Sequence, residues 1–231
     1  MNLPRTSPRP LLLGHRGARA RVSIPENTLA SFDQALADGC DGFEFDVRLS
    51  ADGKPVVCHD PQTGGVEIAQ GSAEQLTALP KLEDVLIRYE TSAFLDIELK
   101  VPGLEKITLA LLQKHPPHRG FVVSSFLPEV LHSVHAEDAT VPLGLICETE
   151  AELRLGSELP IEYVIPHYKL VDEALLRQLK DAGRKILVWT VNSPTEMRRF
   201  SKFGINGIIS DDTDLLCRTL TTQETSHESF P

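Results

Sequence analysis

Long apolar runs are missing from the 231-residue chain. A membrane-spanning helix needs roughly 20 consecutive apolar residues, and no stretch comes near that. The opening "MNLPRTSPRPLLLGHRG" has a run of three leucines before a glycine, too short a core for a signal peptide. Cysteine is sparse: Cys40, Cys58, Cys147 and Cys217 are scattered and form no CxxC pair. That argues against a disulfide framework and against a zinc site built mainly on thiolates. A reducing, cytoplasmic location without stable membrane insertion is expected. Basic charge is in deficit, with 23 Lys and Arg against 33 Asp and Glu, a net −10. This balance disfavours nucleic acid or an anionic membrane as partner, yet leaves room for a local basic pocket around one phosphate. No Gly/Ser linker divides the chain, so one catalytic domain over residues 1–231 is expected. Oligomeric state is not legible.

What the chain does have is alternation. Strand candidates lie at 11–15, 42–48, 94–99, 121–125, 142–147, 162–166, 186–191 and 206–210. Helix candidates lie between them at 28–38, 74–79 with 82–89, 104–114, 128–136, 149–155, 172–182 and 194–203. Asn27 can cap the first helix and Pro194 can occupy the first turn of the last. Eight strands alternating with helices predict an α/β protein of (β/α)8 barrel type. The tail 221–231 is polar and expected to fray.

One strand breaks the rhythm. Between 42–48 and "PVVCH" (55–59) there is room only for a tight turn, and Asp52-Gly53 signals a two-residue hairpin. That turn pairs Ala51 with Lys54 and sets His59 opposite Asp46. The hairpin is thus expected to bring a histidine to an acidic strand.

Side chains alternate across a strand, so in "GFEFDVR" Glu44 and Asp46 share one face and Phe43, Phe45 and Val47 the other. "FLDIELK" repeats the pattern, with Asp96, Glu98 and Lys100 on one face. In a barrel the apolar set packs against helices and the charged set faces the lumen. Clustered carboxylates there must be paired, protonated or metal-bound. Oxygen ligands suit a hard divalent cation, Mg²⁺ or Ca²⁺. The plain alternative is a structural ion-pair network with Lys100 and Arg16. "GHRGAR" places His15 and Arg16 where the first strand opens onto the same face, the face on which barrel active sites lie. Two histidines, a cation site, an arginine and a lysine form a set able to cleave a phosphodiester.

Together, "HRGARARVSIPENTLASFDQAL" (15–36), "GFEFDVRLSADGKPVVCHD" (42–60) and "DIELK" (96–100) resemble the glycerophosphodiester phosphodiesterases. "VVSSF" (122–126), "VWTVN" (188–192) and "GINGIISDDTDLL" (204–216) continue the resemblance in order. It implies an elliptical (β/α)8 barrel that hydrolyses a small glycerophosphodiester to glycerol 3-phosphate and an alcohol. It further implies Glu44, Asp46 and Glu98 as ligands of one divalent cation, and His15 and His59 as the acid/base pair. Arg16 and Lys100 match positions that neutralise phosphate, and Trp189 matches an aromatic that walls the pocket. Glu26 and Asn27 match a segment beside the site, read as support and helix capping. The chain departs from the family after "HD", where it reads "PQTGGVEIAQGS"; the insertion over the pocket, about 61–80, looks short. That leaves the alcohol side of the substrate open. Cys58 is read as a packed strand residue. Two other functions remain: a phosphodiesterase acting on lysophospholipids or another diester, and a barrel that binds a phosphorylated ligand without turning it over.

Overall fold

The computed structural model describes residues 9–221; the reading of the N-terminus at 1–8 and of the polar tail at 222–231 lies outside them. In chain order the strands are β1 (Leu11–His15), β2 (Gly42–Leu49), β3 (Pro55–Val57), β4 (Gln62–Thr63), β5 (Val66–Glu67) and β6 (Phe94–Leu99). There follow β7 (Phe121–Ser125), β8 (Leu143–Cys147), β9 (Tyr163–Pro166), β10 (Lys185–Val188) and β11 (Gly207–Ser210). The helices are α1 (Leu29–Ala37), α2 (Leu82–Tyr89), α3 (Glu105–Lys114), α4 (Pro128–Glu137), α5 (Glu150–Leu155), α6 (Glu173–Asp181), α7 (Pro194–Lys202) and α8 (Thr213–Thr221). Parallel pairing runs β1-β11-β10-β9-β8-β7-β6-β2 and closes from β2 back to β1, with β3 antiparallel on the outside of β2. This is the expected (β/α)8 barrel with one extra hairpin strand. Among the described residues no helix is long and apolar enough to cross a membrane.

Two faces of each strand divide the packing. The outward residues of β2, Phe43, Phe45 and Val47, are fully buried under α1 and α2. Phe43 stacks on Phe32 of α1 at 4.2 Å and meets the ring of Tyr89 of α2 edge-on at 4.9 Å. Burying such side chains stabilises the fold by about 1.5–3 kcal/mol each. The inward face is layered. Leu13, Phe94, Val122, Ile165, Leu187 and Ile209 belong to an apolar plug inside the ring. One side-chain layer further toward the strand ends, His15 registers with Glu44 and Glu44 with Asp96; the next layer pairs Asp46 with Glu98 and Glu98 with Ser124. The plug keeps water out from below, so the carboxylates sit at the floor of a one-ended pocket.

Four expectations change. The 74–79 segment is a run of turns, not a helix: six residues are too few to sustain helical nucleation, and Pro80 follows. α8, not anticipated, supplies the eighth helix after β11. Thr28, not Asn27, caps α1, its hydroxyl accepting from Ser31 N at 3.2 Å.

The hairpin register is the fourth. Val47 faces Val57 and Leu49 faces Pro55, one residue off the expected pairing. Ser50 N donates to Lys54 O at 3.0 Å, closing a three-residue loop in which Gly53 takes φ +72°. The Ser50 hydroxyl selects this loop, donating to Asp52 and accepting from Lys54 N at 2.9 Å. Asp46 therefore lies opposite Cys58, whose N–H donates to Asp46 O at 3.0 Å. A one-residue slip exchanges the two faces of a strand. His59 thus reaches the pocket from beyond the end of β3, where the chain has left the ladder.

Candidate active site

β1 delivers His15 and then reverses sharply. Arg16 has φ +53° and Gly17 φ +81°. A Cβ on Gly17 would stand 2.4 Å from Ser31 Oγ, so the turn requires glycine. Left-handed Arg16 carries strain of about 1–3 kcal/mol. Its backbone is held by its N–H donating to Glu44 Oε2 at 3.0 Å and by Ser31 Oγ donating to its carbonyl at 3.0 Å. The turn aims the guanidinium inward, with Nε 3.3 Å from Asp46 Oδ2 and Nη1 2.8 Å from Glu26 Oε1. Asn27, left-handed at φ +57°, donates to Asp46 Oδ2 at 2.8 Å and accepts from Asp46 N at 3.3 Å. It is a support for the acidic strand.

Glu44, Asp46 and Glu98 are all buried, and one oxygen from each lies within 4.8 Å of the others. Lys100 Nζ stands 2.7 Å from Glu98 Oε1 and 3.2 Å from Asp46 Oδ1. Asp46 Oδ1 nevertheless accepts no properly directed hydrogen bond. His15, Arg16, Glu44, His59, Glu98, Lys100 and Trp189 line one cavity of about 320 Å³. The ring of Trp189 stands edge-on to Phe126 at 5.8 Å, its Nε1 donating to Ile165 O at 2.9 Å. No residue from 60–93 contributes to the lining. Val66 of β5, with Ile68 and Leu76 in the chain that follows, instead packs beside Val56 and Cys58, so Cys58 is a packing residue. All eight residues singled out from the sequence therefore converge, Asp46 on the buried side of its ion pairs.

The glycerophosphoryl diester phosphodiesterase family model matches residues 15–108 and 97–215, which is nearly the whole barrel. The chain belongs to this family. It is thereby a phosphodiesterase. A glycerophosphodiester phosphodiesterase from Caldanaerobacter subterraneus subsp. tengcongensis is 28% identical, over 89% of this chain and 96% of that one. The crystal structure of a glycerophosphodiester phosphodiesterase from Thermotoga maritima superposes with a TM-score of 0.79 at 26% identity, covering 91% and 98% of the two chains. A phosphodiesterase from Oleispira antarctica, in complex with its product sn-glycerol-3-phosphate, has the same fold (TM-score 0.82, 24% identity, 92% and 97% covered).

The electrostatics of this phosphodiesterase single out the acidic trio. Burial pushes the Glu44 carboxyl well above its usual range, and Asp46 and Glu98 push it further. Glu98 is raised to about 8 by burial and by Asp46, despite Lys100. Asp96, buried in register with Glu44 and bonded by Ser124 Oγ at 2.5 Å, rises to about 7 through burial. Burial also works against ionised Asp46, but Lys100 and Arg16 hold it below its ordinary value. Two cations for four buried acids leave the set short of positive charge. All the donors are hard oxygens, and one buried Asp46 oxygen accepts no directed hydrogen bond. These residues fit a divalent cation.

A pH effect on stability follows. Unfolded, Glu98 and Asp96 titrate near 4.5 and 3.8; folded, near 8 and 7. Between those limits the folded state holds more protons, so stability falls as pH rises. The melting temperature of the metal-free enzyme should decline between about pH 5 and pH 8, and added divalent cation should raise it most at the upper end. A cation effect equal at both ends would detach the ion from these carboxylates.

Several residues at the mouth were not singled out from the sequence. Asp211 accepts from His15 Nδ1 at 2.7 Å, Asn192 donates to Asp211, and Glu148 lines the cavity. Their signal is positional: each follows the C-terminal end of a barrel strand, where site residues gather. His59 is the more open of the two imidazoles. Its Nδ1 lies 2.8 Å from Asp60, a carboxylate 74% exposed.

Proposed function

We propose that this phosphodiesterase hydrolyses glycerophosphodiesters to glycerol 3-phosphate and an alcohol, with His15 and His59 as the acid/base pair. Glu44, Asp46 and Glu98 hold one divalent cation, Mg²⁺ or Ca²⁺. When bound, the cation supplies positive charge for the phosphate oxygens and for the carboxylates themselves. The observation that carries the reading is two imidazoles on one cavity with Glu44 and Glu98, Asp46 clustered with those two on the buried side, each imidazole tied to a carboxylate through Nδ1 and so able to offer Nε2. One imidazole accepts the proton of the attacking hydroxyl, from water or the glycerol 2-hydroxyl, as its oxygen bonds to phosphorus; in the second case the product of this step is a cyclic phosphate, which water then opens to glycerol 3-phosphate. The other donates a proton to the departing alcohol as its P–O bond breaks. Arg16 and Lys100 stabilise charge on the phosphate, and Trp189 walls the pocket. The product carried by the Oleispira relative supports the glycerol side of this reading. The 60–93 segment contributes nothing to the lining, so the acyl chain of a long-chain lysophospholipid would find no cover from it, which favours a small soluble diester.

The test is release of glycerol 3-phosphate from choline, ethanolamine and glycerol diesters, with a lysophospholipid beside them. Hydrolysis of the lysophospholipid alone would overturn the substrate assignment. Arg16→Ala and Lys100→Ala should each lower kcat/KM by roughly 10²-fold, as when one charge-stabilising donor is lost. Unchanged kinetics in either variant would remove that residue from phosphate binding.

A further inference from the structure

Asp211, in the loop after β11, is the most heavily bonded carboxylate at the pocket mouth. Its Oδ1 accepts from His15 Nδ1 at 2.7 Å and from Arg19 Nη1 at 3.2 Å. Its Oδ2 accepts from Asn192 Nδ2 at 2.6 Å. The amide of Asn192 cannot turn over, because its Oδ1 already accepts from Asp211 N at 2.9 Å and from Ser210 Oγ at 3.0 Å. Every group facing the Asp211 carboxylate is therefore a donor. An ionised carboxylate accepts only, so the hydrogen it shares with His15 must reside on Nδ1. The Nε2 side of the ring then faces the cavity, 3.9 Å from Glu44 Oε2.

We propose that Asp211, itself locked by Asn192 and Arg19, is the positioning residue that sets the tautomer and orientation of His15. This rests on the reading of His15 as an acid/base group. The two histidines differ in this respect. The carboxylate partner of His59 is largely in water, free to exchange its bond for solvent, whereas Asp211 is only 19% exposed and is bonded from three sides. His15 is the imidazole with a fixed direction. The network also continues from Arg19 to Glu26 at 2.6 Å and from Glu26 to Arg16 at 2.8 Å. One chain of bonds thereby sets the imidazole and the phosphate-facing guanidinium relative to each other.

The test uses the Mg²⁺-loaded full-length enzyme and the variants D211N, D211A and H15A. In D211N one oxygen becomes an NH₂ group, so either Asn192 faces a donor or His15 must give up its Nδ1 hydrogen and accept there instead; D211A removes both acceptors. Both should lose kcat by about 10²-fold, the lower end of what acid/base help supplies, with KM changed little. Histidine ¹⁵N NMR, with the His15 signals assigned by their loss in H15A, should show the Nδ1–H form in the parent when the ring is neutral. In D211A the Nε2–H form should appear. An Nε2–H form in the parent would overturn the proposal. So would kcat unchanged in both variants, or a rise in KM alone. Full activity in H15A would instead overturn the acid/base assignment of His15 itself.

Discussion

Chelation of divalent cations should abolish hydrolysis by this enzyme, and Mg²⁺ or Ca²⁺ should restore it. Glu44, Asp46 and Glu98 bring oxygens within 4.8 Å of one another in a buried pocket, and Lys100 and Arg16 do not balance them. Each of Glu44→Gln, Asp46→Asn and Glu98→Gln should lower activity by roughly 10²–10³-fold at limiting cation, the range for removing one stabilising group. The three should differ in stability. Glu44 is strained by burial and by its acidic neighbours, so Glu44→Gln relieves the metal-free protein and should not lower its melting temperature. Asp46 answers two cations and Asn27, so Asp46→Asn leaves buried charges without their partner and should lower it. Full turnover by protein freed of metal would sink the cation site. Equal melting shifts for Glu44→Gln and Asp46→Asn would contradict the charge balance described here.

The second large effect concerns the histidines. His15→Ala and His59→Ala should each reduce kcat/KM on a choline diester by about 10²–10⁴-fold, the span of general acid–base catalysis. A nitrophenyl ester separates their roles, because its leaving oxygen needs little protonation. The variant that lacks the general acid should recover most of its loss on that ester, and the variant that lacks the base should not. The profile of kcat/KM against pH should be a bell in the parent and lose one limb in each variant. Burial depresses the His15 imidazole and the bond it donates to Asp211 only partly restores it, so His15 is more readily deprotonated than a free imidazole. Identical large losses on both esters for both variants would end the two-histidine division of labour.

Much of this was legible from local pattern. Alternation of Glu44 and Asp46 with Phe43, Phe45 and Val47 set which face of β2 is acidic, because a pleated strand has a period of two. The same period in "FLDIELK" placed Glu98 and Lys100 on the same face of β6. "GHRG" marked the strand end that opens onto them. The hairpin after β2 was legible too, but not its register. Asp52-Gly53 read as a two-residue turn, and the Ser50 hydroxyl made it a three-residue one by bonding across the loop.

Sequence by itself determined most of the strand and helix alternation, the acidic faces, and the acidic and basic residues at the strand ends, to which the family resemblance added Trp189. The alternation and the acidic faces follow from spacing along one chain and from which side chains tolerate burial. Only the tertiary structure decided the rest. Ring closure from β11 to β1 brings Asp211 onto His15, 196 residues apart, and no local period encodes that meeting. The turn at Arg16 and Asn27 uses left-handed backbone at residues other than glycine, a conformation that contacts with Glu44 and Asp46 hold and that local preference alone would not select. The position of His59 was decided in the same way: a one-residue slip took it out of the ladder, and the end of a closed barrel still left it facing the pocket.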